Sequence, residues 1–252
     1  MPGVRDITLP LAGLALLIGL WWLAVHWLGA DAFMAAQFSP GNTWQAAMEL
    51  AGSGELWVHA LYSLRRVALG LVIAVVIGVP LGLLVGISRA FASASSASVQ
   101  FLRMISPLSW MPLAVMAFGV GDAPVVALVA FAAVWPIVLN VAAGIRAIDP
   151  QWLKLADSVG AGRLARLTHV MVPAIASHLL TGLRLAIGLV WIVLVPAEML
   201  GVNEGLGYLI LDTRDRMAYG ELMATILFIG LLGFLLDWLA RQAHRRAGGL
   251  SA

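Results

Sequence analysis

Long apolar stretches alternate with short polar ones along the chain, and their lengths predict its architecture. A helix of about 20 mostly apolar residues crosses the hydrocarbon core of a bilayer, which is about 30 Å thick. Stretches of this kind predict transmembrane helices at Leu9–Leu28, Val67–Ile87, Val99–Val120, Pro124–Ile145, Ile175–Met199 and Leu222–Ala240. The chain is therefore expected to be an all-α, polytopic membrane protein with about six transmembrane helices.

The polar connections carry weaker signals of local structure. Residues 57–66 are more amphipathic and predict an interfacial extension of the second span. Residues 39–52 predict a short surface helix, and residues 201–219, rich in glycine and acidic side chains, predict a surface or re-entrant segment. The Ala/Ser tract Ala92–Ser98 predicts a tight turn between the second and third spans.

Glycines recur at every fourth position of the second span, at Gly78, Gly82 and Gly86. This spacing places them on one helix face, where a neighbouring backbone can approach closely. The second span is therefore expected to be buried in a helix bundle.

The distribution of charge orients the predicted helices. Only 11% of the residues are charged, against about 25% in soluble domains, so the bilayer is the natural solvent. Basic residues concentrate on the cytoplasmic side of membrane proteins. With the N-terminus inside, the inner segments hold most of them: Arg5, Arg89, Arg146, Lys154, Arg163, Arg166, Arg241, Arg245 and Arg246. Both termini of this multi-pass protein of the inner (plasma) membrane are expected to be cytoplasmic.

The first span has an alternative interpretation as a secretory signal. Arg5 gives it a basic start, and Ala30-Asp31-Ala32 is similar to a small-residue cleavage site. However, its apolar stretch exceeds the typical length of about 7–15 residues and contains three tryptophans. These features favour a retained helix.

Few charged side chains fall within the spans. Arg103 and Arg184 lie within about two to three turns of the predicted inner face, from which long side chains snorkel to water. Arg65 and Arg66 lie near the outer face, where they either snorkel or bias an entry mouth toward anions. Glu198 ends the fifth span and is either solvated or paired with an arginine across a pore.

The sequence contains no pattern typical of catalysis or of metal binding. It has no cysteine, no GxxxxGK[ST] phosphate loop and no HExxH, and its five histidines lack ligand spacing. We expect no catalytic residue, no metal site, no cofactor held by this chain and no nucleic-acid partner. A secondary transporter would need paired intramembrane carboxylates or histidines, and a membrane enzyme would need convergent acid and base groups. A purely structural assembly subunit is a further alternative.

Residues 146–173 form the longest predicted inner loop and predict a bent helical hairpin. Asp149 and Pro150 are typical of a helix start, and Gly160-Ala161-Gly162 is typical of a break. A second short helix is expected to end at Pro173. Apolar residues recur at helical spacing in the first arm, at Trp152, Leu155, Ala156 and Val159. Such a hairpin suits docking to a cytoplasmic protein or lying on a lipid surface.

This hairpin resembles the EAA loop of binding-protein-dependent ABC importer permeases, whose pattern is roughly Glu-Ala-Ala-x3-Gly-x9-Ile-x-Leu-Pro. The positions that match or are conservative are Ala156, Gly160, Val170, Val172 and Pro173. Lys154 and Leu155 stand where the pattern has Glu and Ala. Other segments resemble the nitrate/sulfonate/taurine/bicarbonate branch of these permeases: Gly54–Trp57, Ser63–Arg66, Gly78–Gly86, Arg103–Leu113, Thr181–Arg184, Pro196–Leu200 and Gly205–Tyr208. The likeness covers about residues 54–240.

The resemblance implies a type I ABC importer-like permease in which two copies form the translocation pathway. A separate cytoplasmic ATPase would bind ATP and Mg, and an extracytoplasmic solute-binding protein would deliver a small solute. The solute implied is an oxyanion such as a sulfonate, taurine, nitrate or bicarbonate, with a pyrimidine or a vitamin precursor as the alternative. Residues 1–56 would form an N-terminal transmembrane helix and an outer segment, and residues 57–252 the permease core with its coupling loop at 146–173.

The resemblance also implies roles for individual residues. Those expected to couple to the ATPase are Trp152, Lys154, Leu155, Ala156, Val159, Gly160, Ala161, Arg163 and Pro173. Those expected to line the pathway are Arg65, Trp110, Trp135, Trp191, Glu198 and Met199.

Overall fold

The computed structural model describes residues 4–28 and 36–248, and all regular structure in these ranges is helical. The candidate cleavage site at residues 30–32 lies outside them. The helices are α1 Val4–Leu28, α2 Pro40–Ser53, α3 Glu55–Ile87, α4 Arg89–Met104, α5 Met111–Phe118, α6 Asp122–Arg146, α7 Pro150–Ser158, α8 Ala176–Gly201, α9 Leu206–Asp215 and α10 Tyr219–Gly248. A short 3-10 turn, Pro107–Trp110, precedes α5.

The predicted spans appear as helices, and one of them is broken. Helices α3, α6, α8 and α10 are each long and apolar enough to cross a membrane. Helices α4 and α5 pass this test together but meet at an angle of 89°. In α1 the apolar part is shorter, Ala15–Trp27. The described residues thus contain four unbroken candidate spans and a fifth that consists of two helices. Helix α1 covers the first predicted span, but its apolar part is too short to be counted with them.

The prediction of one continuous third span, Val99–Val120, is wrong. The helix stops after Met104, and Ile105 and Ser106 adopt extended backbone angles. Ser106 precedes Pro107, and the proline ring disfavours a helical conformation at the residue before it. Pro107 then begins the 3-10 turn, where its missing N–H costs no hydrogen bond.

The prediction of a tight turn at Ala92–Ser98 is also wrong, because these residues lie inside α4. The chain turns earlier, at Ser88, whose hydroxyl accepts a hydrogen bond from the Phe91 N–H (3.1 Å) and begins α4. Two serines of the tract bond back to helix carbonyls, Ser95 to Phe91 at 2.7 Å and Ser96 to Ser93 at 2.9 Å. Their side chains are therefore satisfied without leaving the helix.

Helix α6 forms the centre of the bundle, and α3 and α8 pack against it. The glycine face of α3 makes the close contact predicted from the sequence. A Cβ atom built on Gly82 would lie 2.7 Å from Cβ of Val141, and one on Gly86 would lie 2.6 Å from Cβ of Ile145. Branched side chains of α6 thus occupy the space that the glycines leave free.

A second apolar cluster joins α2, α9 and α10 beside the main core. The surface helix predicted within residues 39–52 is observed as α2 and is capped by Ser39. Residues 201–219 contain helix α9, in which Leu206 and Leu209 are fully buried. We name the two ends of the bundle after what lies there. The elbow end holds residues 146–173, which we call the elbow. The cluster end is the opposite one, where α6 begins and α8 ends, and it is named after the buried polar cluster around Arg66 and Glu198.

Candidate functional site: the elbow and a buried polar cluster

The first arm of the elbow is α7, and specific hydrogen bonds explain where this helix begins and where it ends. The Asp149 carboxylate accepts a hydrogen bond from the Gln151 N–H (2.8 Å), as predicted for its N-cap. At the other end Gly160 has a φ of +73°. The N–H groups of Gly160 and Ala161 donate to the carbonyls of Asp157 and Ala156, at 3.0 and 2.9 Å. This is the Schellman arrangement, in which a left-handed glycine ends the helix.

Helix α7 presents an apolar face outward. Trp152, Leu155 and Val159 are 62%, 55% and 75% exposed. Their spacing of three and four residues places them on one side of the helix. Ala156, also predicted to belong to this site, is instead buried and packs inward. Lys154 is exposed beside the apolar face.

The second arm is a helical run in three pieces: Arg163–Arg166, a π-helical turn at Leu167–Met171, and Val172–Ala174. The prediction that Pro173 ends it is wrong, because Pro173 lies in the first turn of the last piece, where its missing N–H is tolerated. Met171 and Ile175 are buried and fix this arm to the core. An ion pair between Asp157 and Arg166 (2.7 Å) joins the two arms.

At the opposite end of the bundle, charged side chains from three helices meet in the interior. The guanidinium of Arg66 (α3) is 2% exposed and pairs with the fully buried Glu198 of α8, at 2.6 Å. It also pairs with Asp122 at the start of α6, at 2.6 Å. Arg66 and Glu198 depend on each other, because an unpaired charge in the interior is strongly destabilising. Asp122, whose side chain is 44% exposed, adds a second counter-charge from the surface.

Backbone and hydroxyl groups complete this polar cluster, which we define as Ser63, Arg66, Asp122, Glu198 and residues 204–207, where the loop before α9 leads into the helix. Ser63 donates to Glu198 (2.9 Å) and accepts from the Leu206 N–H (2.9 Å). The Gly207 N–H donates to the second oxygen of Glu198 (2.9 Å). The carbonyl of Glu204 accepts from Arg66 at 2.6 Å. The loop before α9 is thus bound to α3 and α8 at once.

Gly205 is required at the centre of this loop for two reasons. Its φ is +113°, which side chains rarely adopt. A Cβ atom there would also collide with the Arg66 guanidinium and the Glu198 carboxylate. The N–H of Gly205 donates to Nδ1 of His59 at 3.0 Å.

The cluster corrects part of the sequence-based interpretation. Arg66 does not snorkel to the surface, because its charge is neutralised inside the protein. Glu198 is paired with an arginine, which was one of the two predicted alternatives, but the arginine belongs to a neighbouring helix of the same chain. As a predicted pathway residue Glu198 is fully buried in this conformation, whereas Arg65 is exposed.

Arg216 reinforces the same end of the molecule. Its guanidinium lies 2.8 Å from Asp212, 3.2 Å from Glu221 and 3.8 Å from Glu55. Burial acts to lower the pKa of Arg216, but the charges of Glu221 and Asp212 outweigh it and raise the pKa above its usual value. The ion pairs connect α9 to α3 and α10.

The other predicted pathway residues lie in three different settings. Trp110 and Trp135 flank Phe131, with ring centroids 5.7 and 5.6 Å from it. Trp191 packs against α10 and donates to the Ile229 carbonyl (3.0 Å), which is a structural role in this conformation. Met199 is half-buried near the end of α8.

Arg103 and Arg184 were both expected to snorkel, and in the structure their surroundings differ. Arg184 pairs with Asp237 of α10 at 3.3 Å, a partner that the sequence did not indicate. Arg103 lies near the end of α4, about 21 Å or about four turns from Arg89, and its side chain is exposed. Within the described residues Arg103 has no acidic partner. No group of metal-binding side chains occurs in that part of the chain.

Comparison with known proteins identifies this architecture. Residues 78–249 match the family described as "Binding-protein-dependent transport system inner membrane component". The chain belongs to this family. It is a multi-pass membrane protein and the permease subunit of an ABC importer, so its role is transport rather than enzymatic catalysis.

Individual relatives place the chain in the nitrate/sulfonate/taurine/bicarbonate branch. It is 30% identical to the taurine transport system permease protein TauC of Escherichia coli, over 97% of this chain and 90% of TauC. It is 36% identical to the bicarbonate transport system permease protein CmpB of Synechococcus elongatus, over 76% and 70% of the two chains.

A solved structure supports the fold. The chain matches a structure of the MetNI methionine ABC transporter with a TM-score of 0.63 and 18% sequence identity, over 76% of this chain and 96% of the other. This likeness agrees with a type I ABC permease fold.

Proposed function

We propose that two copies of this chain form the translocation pathway of an importer for a small oxyanion. In this proposal the elbow end faces the cytoplasm, both termini are cytoplasmic, and the cluster end receives solute from an extracytoplasmic binding protein. Residues 57–252 act as the permease core, and residues 1–56 add a peripheral helix and an outer segment.

The observation that carries the proposal is the exposed apolar face of α7 on a rigidly capped elbow. Trp152, Leu155 and Val159 are large side chains that a water-facing loop has no reason to expose together. We infer that they dock into a separate ATPase chain, which binds ATP and Mg. Lys154, where related loops have a glutamate, would favour an acidic position on that ATPase.

Docking at the elbow allows ATP to drive transport. ATP shifts the permease toward one conformation only if the closed ATPase fits one elbow position better than the other. The buried anchors Met171 and Ile175, together with the Asp157–Arg166 pair, make the elbow stiff enough to transmit such a displacement to α8.

The choice of an oxyanion rests on the relatives. These relatives are named as permeases for taurine, bicarbonate, nitrate and, in Bacillus subtilis, aliphatic sulfonates. These solutes share a small, oxygen-rich anionic group. The exposed Arg65 at the cluster end adds a positive charge at the proposed entrance.

Reconstitution tests the function directly. The permease, its ATPase and its binding protein are placed in liposomes, and uptake and ATP hydrolysis are measured with taurine, an alkanesulfonate, nitrate and bicarbonate. We expect at least one of them to stimulate hydrolysis and to accumulate inside. Stimulation by a pyrimidine alone would contradict the oxyanion assignment.

The orientation can be tested with single cysteines, because the chain has none of its own. Val159→Cys at the elbow should react with a membrane-impermeant maleimide only after the cells are opened. Met48→Cys on α2, which is 60% exposed, should react in intact cells. The reverse pattern would overturn the orientation and the docking role together.

The elbow itself is tested by Gly160→Pro. Proline cannot adopt the φ of +73°, and it removes the N–H that bonds to Asp157. We expect intact membrane insertion but loss of most solute-stimulated hydrolysis and uptake. Gly162→Ala is the matched control, because Gly162 has open space around its Cα and no positive φ. Normal coupling in Gly160→Pro would count against docking at this site.

A further inference from the structure

A cavity of about 370 Å³ lies at the break between α4 and α5. Its wall is formed by the end of α4 and the following turn, by the middle of α6 and by α8. Most lining side chains are apolar, and the polar ones are Arg103, Trp135 and Asn140. Small-molecule sites typically have volumes of about 300–1,000 Å³ and combine an apolar wall with a few polar groups.

The cavity lies far from both ends of the bundle. Its α6 lining extends from Phe131 to Asn140. These residues lie about 13 Å along the helix from Asp122 and about 9 Å from Arg146, respectively. The cavity is therefore at the level of the membrane interior, where charged side chains are rare and mark pathways for ions and solutes.

Arg103 gives this cavity a positive charge that no acidic side chain of the described residues neutralises. Arg103 itself is exposed at the cavity, and it differs from Arg66 and Arg184, which are both paired with acidic side chains. The competing explanation is that Arg103 stabilises the C-terminal end of α4. That role does not neutralise the guanidinium, which keeps its full positive charge.

Two buried indole N–H groups beside the cavity lack an acceptor among the described residues. The Nε1 atoms of Trp135 and of nearby Trp110 are buried and have no hydrogen-bond partner in the described part of the chain. The amide of Asn140 donates to the Pro136 carbonyl (2.8 Å). Buried indole N–H groups usually have an acceptor, so a ligand rich in acceptor oxygens suits this setting.

The geometry points to a transient binding site for the solute oxyanion in this cavity, with the Arg103 guanidinium as its principal partner. Trp135, whose N–H lacks an acceptor within residues 4–28 and 36–248, lines the same cavity. This inference rests on the proposed function and names the residues by which the permease itself would select a small anion. A free anion is favoured over a lipid headgroup because headgroups lie at the ends of the bundle.

The test compares Arg103→Gln and Arg103→Lys in the complete transporter in liposomes. We expect Arg103→Gln to lower uptake of the transported oxyanion about ten- to hundredfold, with ATPase association and basal hydrolysis retained. Arg103→Lys keeps the charge and should retain much of the uptake. Arg89→Gln, at the exposed start of the same helix, is the matched control and should transport normally.

The possible outcomes distinguish failure of the Arg103 site from failure of the proposed function. Unchanged uptake in Arg103→Gln, beside an active wild type, would overturn the site but leave the proposed function intact. A wild type that transports no oxyanion would instead sink the proposed function. Vesicles of neutral phosphatidylcholine are compared with vesicles containing phosphatidylglycerol. A defect confined to the latter would show that Arg103 binds a lipid headgroup and would refute the site.

Discussion

The elbow and the polar cluster lie at opposite ends of the bundle and are built in opposite ways. The elbow forms from a continuous stretch of sequence, and its hydrogen bonds join residues a few positions apart. The cluster joins groups that are far apart in the sequence, such as Ser63 and Glu198, which are separated by 135 positions. One end is therefore encoded locally, and the other exists only when the whole bundle has assembled.

This contrast predicts that the cluster, not the elbow, controls folding. Arg66→Ala should have the largest effect, because it leaves Glu198 buried without a counter-charge. We expect a loss of about 3–5 kcal/mol of stability, seen as a lower unfolding temperature in detergent and a lower yield. Arg65→Ala, the exposed neighbour, should change stability by less than about 0.5 kcal/mol. Equal losses in the two variants would refute the difference between them.

The contact between α3 and α6 should rank next. Gly82→Val adds a side chain whose Cβ would lie 2.7 Å from that of Val141, and overpacking of this kind costs about 1–3 kcal/mol. Gly188→Ala has open space in α8 and should stabilise the helix by up to about 1 kcal/mol. Thermal unfolding of the two purified variants should therefore shift in opposite directions. A Gly82→Val variant that unfolds at or above the wild-type temperature would mean that the glycine face is not a tight contact.

The smallest effect is expected within the elbow. Asp157→Asn removes the pair with Arg166, whose side chains are 57% and 30% exposed. Exposed pairs contribute about 0–1 kcal/mol, so unfolding should hardly change. The number of ATP molecules hydrolysed per solute imported should rise slightly if the pair stiffens the elbow. A large loss of stability would show that the elbow takes part in folding after all.

The same contrast explains what could be predicted from the sequence. The Asp149 cap, the left-handed Gly160 and the apolar face of α7 follow from local rules, and the structure has all three. The glycine face of α3 could also be predicted, because helical spacing places those residues together. Their partners on α6 could not, since nothing in the sequence pairs Gly82 with Val141.

The wrong predictions have two physical causes. Some contacts form only in the tertiary structure, and some polar side chains find hydrogen-bond partners that the sequence does not indicate. Arg66 was expected at the surface because its three partners come from distant segments, and nothing in the sequence shows that they meet it. The Ala92–Ser98 turn was wrong because serine hydroxyls bond within a helix as readily as in a turn. The break after Met104 had a local signal, Ser106-Pro107, but the 89° bend depends on packing against α6.

Helix α3 is longer than the hydrocarbon core of the bilayer is thick. Its 33 residues span about 50 Å, and the hydrocarbon core is only about 30 Å thick. If Ile87 marks the cytoplasmic boundary in the proposed orientation, the hydrocarbon ends near residue 67. The first three turns of α3 then stand outside it and, with α2 and α9, form a raised rim. A solute released by the binding protein would descend through about 18 Å of water-accessible protein before it reached the depth of the lipid tails.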